Sequence, residues 1–384
     1  MGTDENGKRH MRQQTDHLRS IDGLRGFACM AVVLHHCGFA VPFLGTSLSD
    51  SPHPLFFGCL GVEIFFAISG FCLSYPAFAN PARETNWATY AKNRVRRIVP
   101  PAWAAMILFI CLGLLIQFFG SEPLATARPV YIPVKLRYVL AMFLFGGGIY
   151  VNATYWTLAL EARWYFALPP MLGLQKRFGS AVLVFAAVST AIAYSIMIPH
   201  IGQYLEIAIG PLPFYLPLFA LGIFAARIVA RSADRSIPHF SLKFWRIGLI
   251  VSAVLICLFT RSLVVTPSRL IPSTFFAFFL LISALKDPIV GAFFAWRPLV
   301  WIGGFSYSLY LVHATLINIA IPLVHQFRLD LLEQFFALVV LLPVAILPIA
   351  YGFYLLFEKP FLRKRRDPVP VPAGGLIAAS TLVR

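Results

Sequence analysis

The chain has 384 residues, of which 59% are hydrophobic, 15% aromatic and only 12% charged. A soluble domain carries about 25% charged and about 45–50% apolar residues, so this composition excludes an ordinary cytosolic enzyme, a disordered chain and a small secreted disulfide module. The formal net charge is +16, from 32 Lys and Arg against 16 Asp and Glu. No aromatic-studded soluble module accompanies it, so no nucleic-acid partner is expected. Lys and Arg collect in the cytoplasmic loops of membrane proteins and are drawn to anionic headgroups, and a polytopic membrane protein embedded in lipid accounts for the excess.

In chain order, residues 1–20 are polar (MGTDENGKRHMRQQTDHLRS) and read as a cytoplasmic tail rather than a signal peptide. A helix needs ~20 apolar residues to cross ~30 Å of hydrocarbon. Apolar runs follow at about 24–43, 56–79, 98–119, 136–152, 155–173, 180–199, 211–230, 247–262, 270–285, 299–323 and 334–357. Charge decides which of them cross. If 136–152 and 155–173 both span, the basic clusters at Arg227–Arg246 and Lys359–Arg366 fall outside, against the positive-inside rule. If 136–152 dips in and returns, these clusters stay inside with Lys8, Arg9, Arg12 and Arg19. Gly146-Gly147-Gly148 suits such a broken segment. The expected fold is therefore all-α: a membrane helical bundle of about ten spans plus one re-entrant segment over residues 21–363, with both termini cytoplasmic. Residues 364–384 read as a short disordered cytoplasmic tail, and no soluble catalytic domain is expected after the last span.

The six cysteines sit mostly inside apolar runs and show no CxxC or Cys/His zinc spacing; they read as small core residues, and no metal is expected.

Ionisable side chains inside spans cost at least ~2.5–3.5 kcal/mol and mark functional sites. The first run holds Arg25 and His36, eleven residues apart, which is about three helical turns and ~16–17 Å along the axis. They share one stripe, Arg25 at the cytoplasmic surface and His36 past the middle of the bilayer. A guanidinium there suits a phosphate, and an imidazole, titrating near neutrality, suits a general base; a snorkelling Arg and a helix-bonded His are the structural alternative. Glu63 opens the apolar segment Gly61–Phe71. Glu161 and Arg163 read either as a mutual ion pair or as members of one polar cavity. Ser306, Tyr307, Tyr310 and His313 recur at helical spacing and give an apolar helix one polar face. The loop Tyr90–Pro101 is dense in Arg. It anchors topology, and Arg94 and Arg97, three apart and level with Arg25, suit a nucleotide-like polyanion such as coenzyme A. No Walker A or GxGxxG loop points to ATP or NAD.

Taken together these motifs resemble the acyltransferase-3 family of integral membrane O-acyltransferases over about residues 18–363. Arg25 followed by ten residues and His36 is similar to the family's Arg/Lys-x10-His signature. Gly61–Ser74 resembles its GVxxFFxxSGFxxS segment, and Arg94, Arg97 and Pro100 its Arg-rich loop. Trp156, Leu158, Glu161, Tyr165 and Pro169 resemble its WxLxxExxxYxxxP element, Ser306–His313 its SYSLYLxH element, and Glu358-Lys359-Pro360 its closing Glu-x-Pro.

The resemblance implies transfer of an acyl group, usually acetyl, from cytoplasmic acyl-CoA to a hydroxyl of a cell-surface carbohydrate or lipid-linked sugar, in a bacterial inner membrane. It implies His36 and Arg25 as the essential pair and Arg94 and Arg97 in the donor site. On this reading Glu161 orients or stabilises the imidazole, and Tyr165, Ser306, Tyr310 and His313 line the acceptor side. His36 works directly or through a transient acyl-imidazole, and its neighbour His35 leaves open which imidazole acts. Acylation of a small molecule such as a macrolide, or a non-catalytic transporter using the same polar path, is the alternative.

Overall fold

The computed structural model describes residues 3–38, 54–82, 85–119, 140, 143–144, 154–197, 212–231, 240–259 and 267–362. The chain is a helical membrane bundle, and no strand occurs among the described residues. Helix α1 runs Thr3–Gly38, α2 Leu60–Ala79 after a 3-10 turn at Pro54–Cys59, and α3 Trp87–Phe119. Then come α4 (Tyr155–Phe178), α5 (Ser180–Met197), α6 (Leu212–Ala230), α7 (Leu242–Phe259) and α8 (Pro267–Lys286). Two short helices, α9 (Pro288–Phe294) and α10 (Arg297–Gly304), lead into α11 (Ser306–Gln326). The last element, α12 (Leu331–Phe361), carries two π-helical stretches, Phe336–Leu341 and Tyr354–Glu358.

Among the described residues, eight helices are long and apolar enough to cross a bilayer: Phe57–Ala79, α3, α5, Pro213–Ala230 of α6, α7, Arg269–Lys286 of α8, α11 and α12. Helices α1 and α4 are also long enough, and Asp22, Arg25, His35 and His36 on the first and Glu161 and Arg163 on the second lower their apolarity. The expected re-entrant segment at 136–152, apart from Leu140, Phe143 and Leu144, and the tail at 364–384 lie outside the described residues.

Three boundaries differ from the sequence reading. Residues 3–20, expected as a polar tail, are the first half of α1. The basic stretch Tyr90–Pro101, expected as a loop, is the start of α3. Helical winding puts Tyr90, Arg94, Arg97 and Ile98 on one face, and the helix carries Pro100 and Pro101 in its interior, where two backbone donors are missing. The run 299–323 breaks at Phe305, after Gly303-Gly304, into α10 and α11.

Helix α1 is the hub. It packs against α2, α8, α9, α10, α11 and α12. Lipid supplies no hydrophobic drive between helices, so small residues that let backbones approach carry the packing. A Cβ at Gly303 of α10 would lie 1.8 Å from the Asp22 carbonyl oxygen of α1. The broadest interface, α2 with α6, rests on a reciprocal pair: a Cβ at Gly70 would meet the Phe219 carbonyl oxygen at 2.2 Å, and one at Gly222 the Ala67 carbonyl oxygen at 2.2 Å. Trp164 of α4 fills the adjoining core, with its ring 4.5 Å from Phe66 and 5.3 Å from Phe219. The buried ion pair Arg269–Glu63, at 3.0 Å, ties α8 to α2. Outward, α7 presents Ile247, Ile250, Val251, Val254 and Leu258, the apolar surface that lipid requires.

Candidate active site

Helices α1, α2, α3, α4 and α11 enclose one cleft, with about 850 Å³ of space outside the atoms including its open part. Arg25 of α1, Arg94 and Arg97 of α3, Glu161 and Tyr165 of α4, and Ser306 and Tyr310 of α11 all line it. Seven of the nine side chains assigned to the site from the sequence therefore meet in one place. The remaining walls include Val62, Phe65, Phe66 and Leu158.

The three arginines are held differently. Arg25 is 3.5 Å from Asp22, one turn back on its own helix, and its Nη2 donates to the Cys72 sulfur at 3.4 Å. Arg94 lies between two aromatic faces, 5.6 Å from the Tyr90 centroid and 5.7 Å from that of Tyr165. It is 8% exposed, and its Nε has no hydrogen-bond partner. Among the described residues, neither Arg94 nor Arg97 has a carboxylate within 4.0 Å. A guanidinium stacked on rings and short of acceptors, as Arg94 is, has donors to offer an anion.

Glu161 accepts hydrogen bonds from Ser69 of α2, at 2.9 Å, and from the Tyr165 hydroxyl one turn along α4. This places Glu161 in the cavity wall, whereas Arg163 is not among the residues that line it. Along α2, the wall passes from Cys72 and Leu73 beside Arg25 to Val62, Phe65 and Phe66, about 15 Å farther. Tyr310 stands in the wall at that end. Its hydroxyl is 2.8 Å from Thr157 Oγ1, and its ring is 6.0 Å from that of Phe65.

His36 and His313 are not in the cavity wall; they stand behind Tyr310. Their ring centroids are 5.1 Å apart, and the His313 ring is 5.4 Å from that of Tyr310. His313 is fully buried. His35 turns to the 3-10 turn, where its Nδ1 is 3.1 Å from the Leu55 carbonyl oxygen.

The structure adds residues that the sequence reading did not assign to the site. Thr157 latches Tyr310, Ser69 holds Glu161, and Cys72 meets Arg25. Glu358, buried at the end of the second π-helical stretch, accepts from the backbone N–H of Ser308 at 3.2 Å and from its hydroxyl at 2.5 Å. It thereby fixes α12 to the start of α11. Ser69 and Glu358 lay inside quoted motifs, and the burial of so polar a residue as Glu358 was the available signal. Cys72 and Thr157 fall at unspecified positions of the quoted segments, and nothing else in the sequence marked them.

The fold and this cleft define a polytopic membrane protein with an arginine-lined chamber inside its bundle. The acyltransferase-3 family profile, described as an acyltransferase domain, matches residues 18–355, and the chain belongs to that family. It is 22% identical over 337 residues to the putative peptidoglycan O-acetyltransferase YrhL of Bacillus subtilis, covering 82% of this chain and 50% of that protein. It is 24% identical over 339 residues to the O-acetyltransferase OatA of Staphylococcus aureus, covering 78% of this chain and 51% of that one. To nodulation protein 10 of Rhizobium leguminosarum it is 26% identical over 230 residues, covering 54% of this chain and 59% of that one. The chain thus spans about half the length of these curated relatives. No solved structure matches it.

Proposed function

We propose that the chain is an integral membrane O-acyltransferase that moves an acyl group, acetyl in the first instance, from cytoplasmic acyl-CoA to a hydroxyl of a cell-surface carbohydrate or lipid-linked sugar. The observation that carries this reading is the convergence of Arg25, Arg94 and Arg97 on one cleft, two of them without a carboxylate partner among the described residues. The names of the relatives, two of them O-acetyltransferases, support the reaction class and a carbohydrate acceptor.

In this reading the donor's phosphates rest on the three guanidiniums, and its thioester end points along α2 toward Phe65 and Tyr310. The tyrosine, held by Thr157, turns aside to admit it to His36. Glu161 and Tyr165 line the path and fix Arg94 through the stacked ring. The donor enters from the cytoplasm, where the basic clusters and both termini lie, and the acceptor approaches from the side of His36 and His313. The membrane is the bacterial inner membrane.

Radiolabelled acetyl-CoA given to membranes containing the full chain tests this. Label becomes covalently attached to a hydroxyl acceptor, and Arg94→Ala with Arg97→Ala suppresses it. Uptake or exchange of label with no ester formed would instead identify a transporter.

A further inference from the structure

The two imidazoles behind Tyr310 have their tautomers fixed by the backbone. His36 Nδ1 is 2.8 Å from the carbonyl oxygen of Val32, and His313 Nδ1 is 2.7 Å from that of Tyr310. A carbonyl oxygen only accepts, so in the neutral ring each Nδ1 is the protonated nitrogen and each Nε2 keeps its lone pair. His313 Nε2 is buried and has no hydrogen-bond partner among the described residues. Buried polar atoms are almost always paired, and an exception calls for an explanation. The unpartnered His313 Nε2 thus lies beside the His36 ring, with centroids 5.1 Å apart, and it is placed to meet a donor. Direct transfer needs a single base; this site has two.

We propose that His36 and His313 divide the reaction, with His36 Nε2 as the nucleophile that takes the acyl group and His313 Nε2 as the base that takes the proton of the acceptor hydroxyl. The proposal rests on the donor-to-hydroxyl reading above and adds the roles of the two rings. In the first half, His36 Nε2 attacks the thioester carbon, the carbon–sulfur bond breaks, and the thiolate leaves, giving an acyl-imidazolium. In the second half, the hydroxyl oxygen attacks the acyl carbon and its proton goes to His313 Nε2. The carbon–nitrogen bond breaks, and its electron pair returns to His36. The departed thiolate takes a proton from water and His313 returns one to water, so the products are an ester and a free thiol, and both rings end as they began. His35, turned to Leu55, takes no part.

The test uses the purified full-length chain in detergent with [14C]acetyl-CoA, water or a hydroxyl compound serving as acceptor. Two quantities are read: free CoA released, and label held by the protein after denaturation. Asparagine at 313 keeps an amide donor in reach of the Tyr310 carbonyl and removes the Nε2 base; glutamine there puts an amide near the Nε2 position. We expect wild type to release CoA steadily with little protein label. His313→Asn should release about one CoA per chain in a burst, retain the label, and turn over at least ~100-fold more slowly, the usual scale for loss of a general base. His313→Gln should behave alike, and His36→Asn should give neither burst nor label. Wild-type turnover in either 313 variant overturns the base assignment. Variants that elute as wild type and bind acetyl-CoA, yet show neither burst nor label, overturn the division of roles. A wild-type chain that never consumes acetyl-CoA overturns the donor reading itself, and this proposal with it.

Discussion

Arg94 reaches from α3 to lay its guanidinium over the ring of Tyr165 on α4, 5.7 Å from the centroid, while the hydroxyl of that ring bonds Glu161. One aromatic side chain thus couples a cation to a carboxylate without the two ions touching. A planar guanidinium stacks where an ammonium does not. Arg94→Lys should therefore raise the donor KM about 5- to 30-fold with kcat little changed, from a cation–π loss of about 1–2 kcal/mol. Tyr165→Phe, which keeps the ring, should hold KM near wild type. Steady-state kinetics with acetyl-CoA as the varied substrate checks both.

Arg25 and His36 sit on one helix and should fail in different ways. If the donor rests on Arg25 as proposed, Arg25→Ala removes a contact made before and during the reaction and should raise the donor KM. His36→Ala should abolish transfer while leaving acetyl-CoA binding intact. Equilibrium binding measured beside turnover separates the two, and an unchanged KM in the first variant removes Arg25 from the donor site.

Neighbouring glycines provide a packing test. A Cβ at Gly303 would lie 1.8 Å from the backbone oxygen of Asp22, whereas one at Gly304 meets nothing within 4 Å. Gly303→Ala should force α10 off α1 and sharply reduce the yield of monodisperse protein. Gly304→Ala should be tolerated. Size-exclusion profiles of the detergent-solubilised variants decide.

Asp287, between α8 and α9, caps α9 through the N–H groups of Ile289 and Val290 and accepts two hydrogen bonds from Arg246. The Arg246 hydrogen bond, with the two backbone donors, holds its carboxyl below the usual carboxylate range. A depressed folded-state pKa contributes stability that is complete above the unfolded value, about 3.9, and is lost as pH falls through the lower folded one. Asp287→Ala should therefore lower the melting temperature at neutral pH, with a cap worth about 0.5–2 kcal/mol. The gap from wild type should narrow below about pH 4. Thermal melts at pH 7 and pH 3.5 measure it.

Much of the bundle was legible because lipid demands long apolar helices, and 155–173, 180–199 and 211–230 predict α4, α5 and α6 within a few residues. Arg25, Arg94, Arg97 and Glu161 were legible because charge inside a membrane is costly enough to mean something. The start of α3 was misjudged as loop because Pro100-Pro101 and the arginines look like a boundary, whereas one face of that stretch packs against α4. The place of the histidines was hidden for a different reason. Spacing along α1 puts His36 on the stripe of Arg25, but whether a chamber runs between them depends on Tyr310 and Thr157, which come from other helices. Glu358 likewise gains its meaning only from Ser308, fifty residues earlier.

Because α1 is gripped on several sides, with backbone against backbone at Gly303, its Arg25 and His36 keep a constant separation, like the jaws of a locked caliper. A thioester that lacks the phosphorylated end is too short to be gauged by both jaws. Small synthetic thioesters should therefore be poor donors however reactive their acyl group.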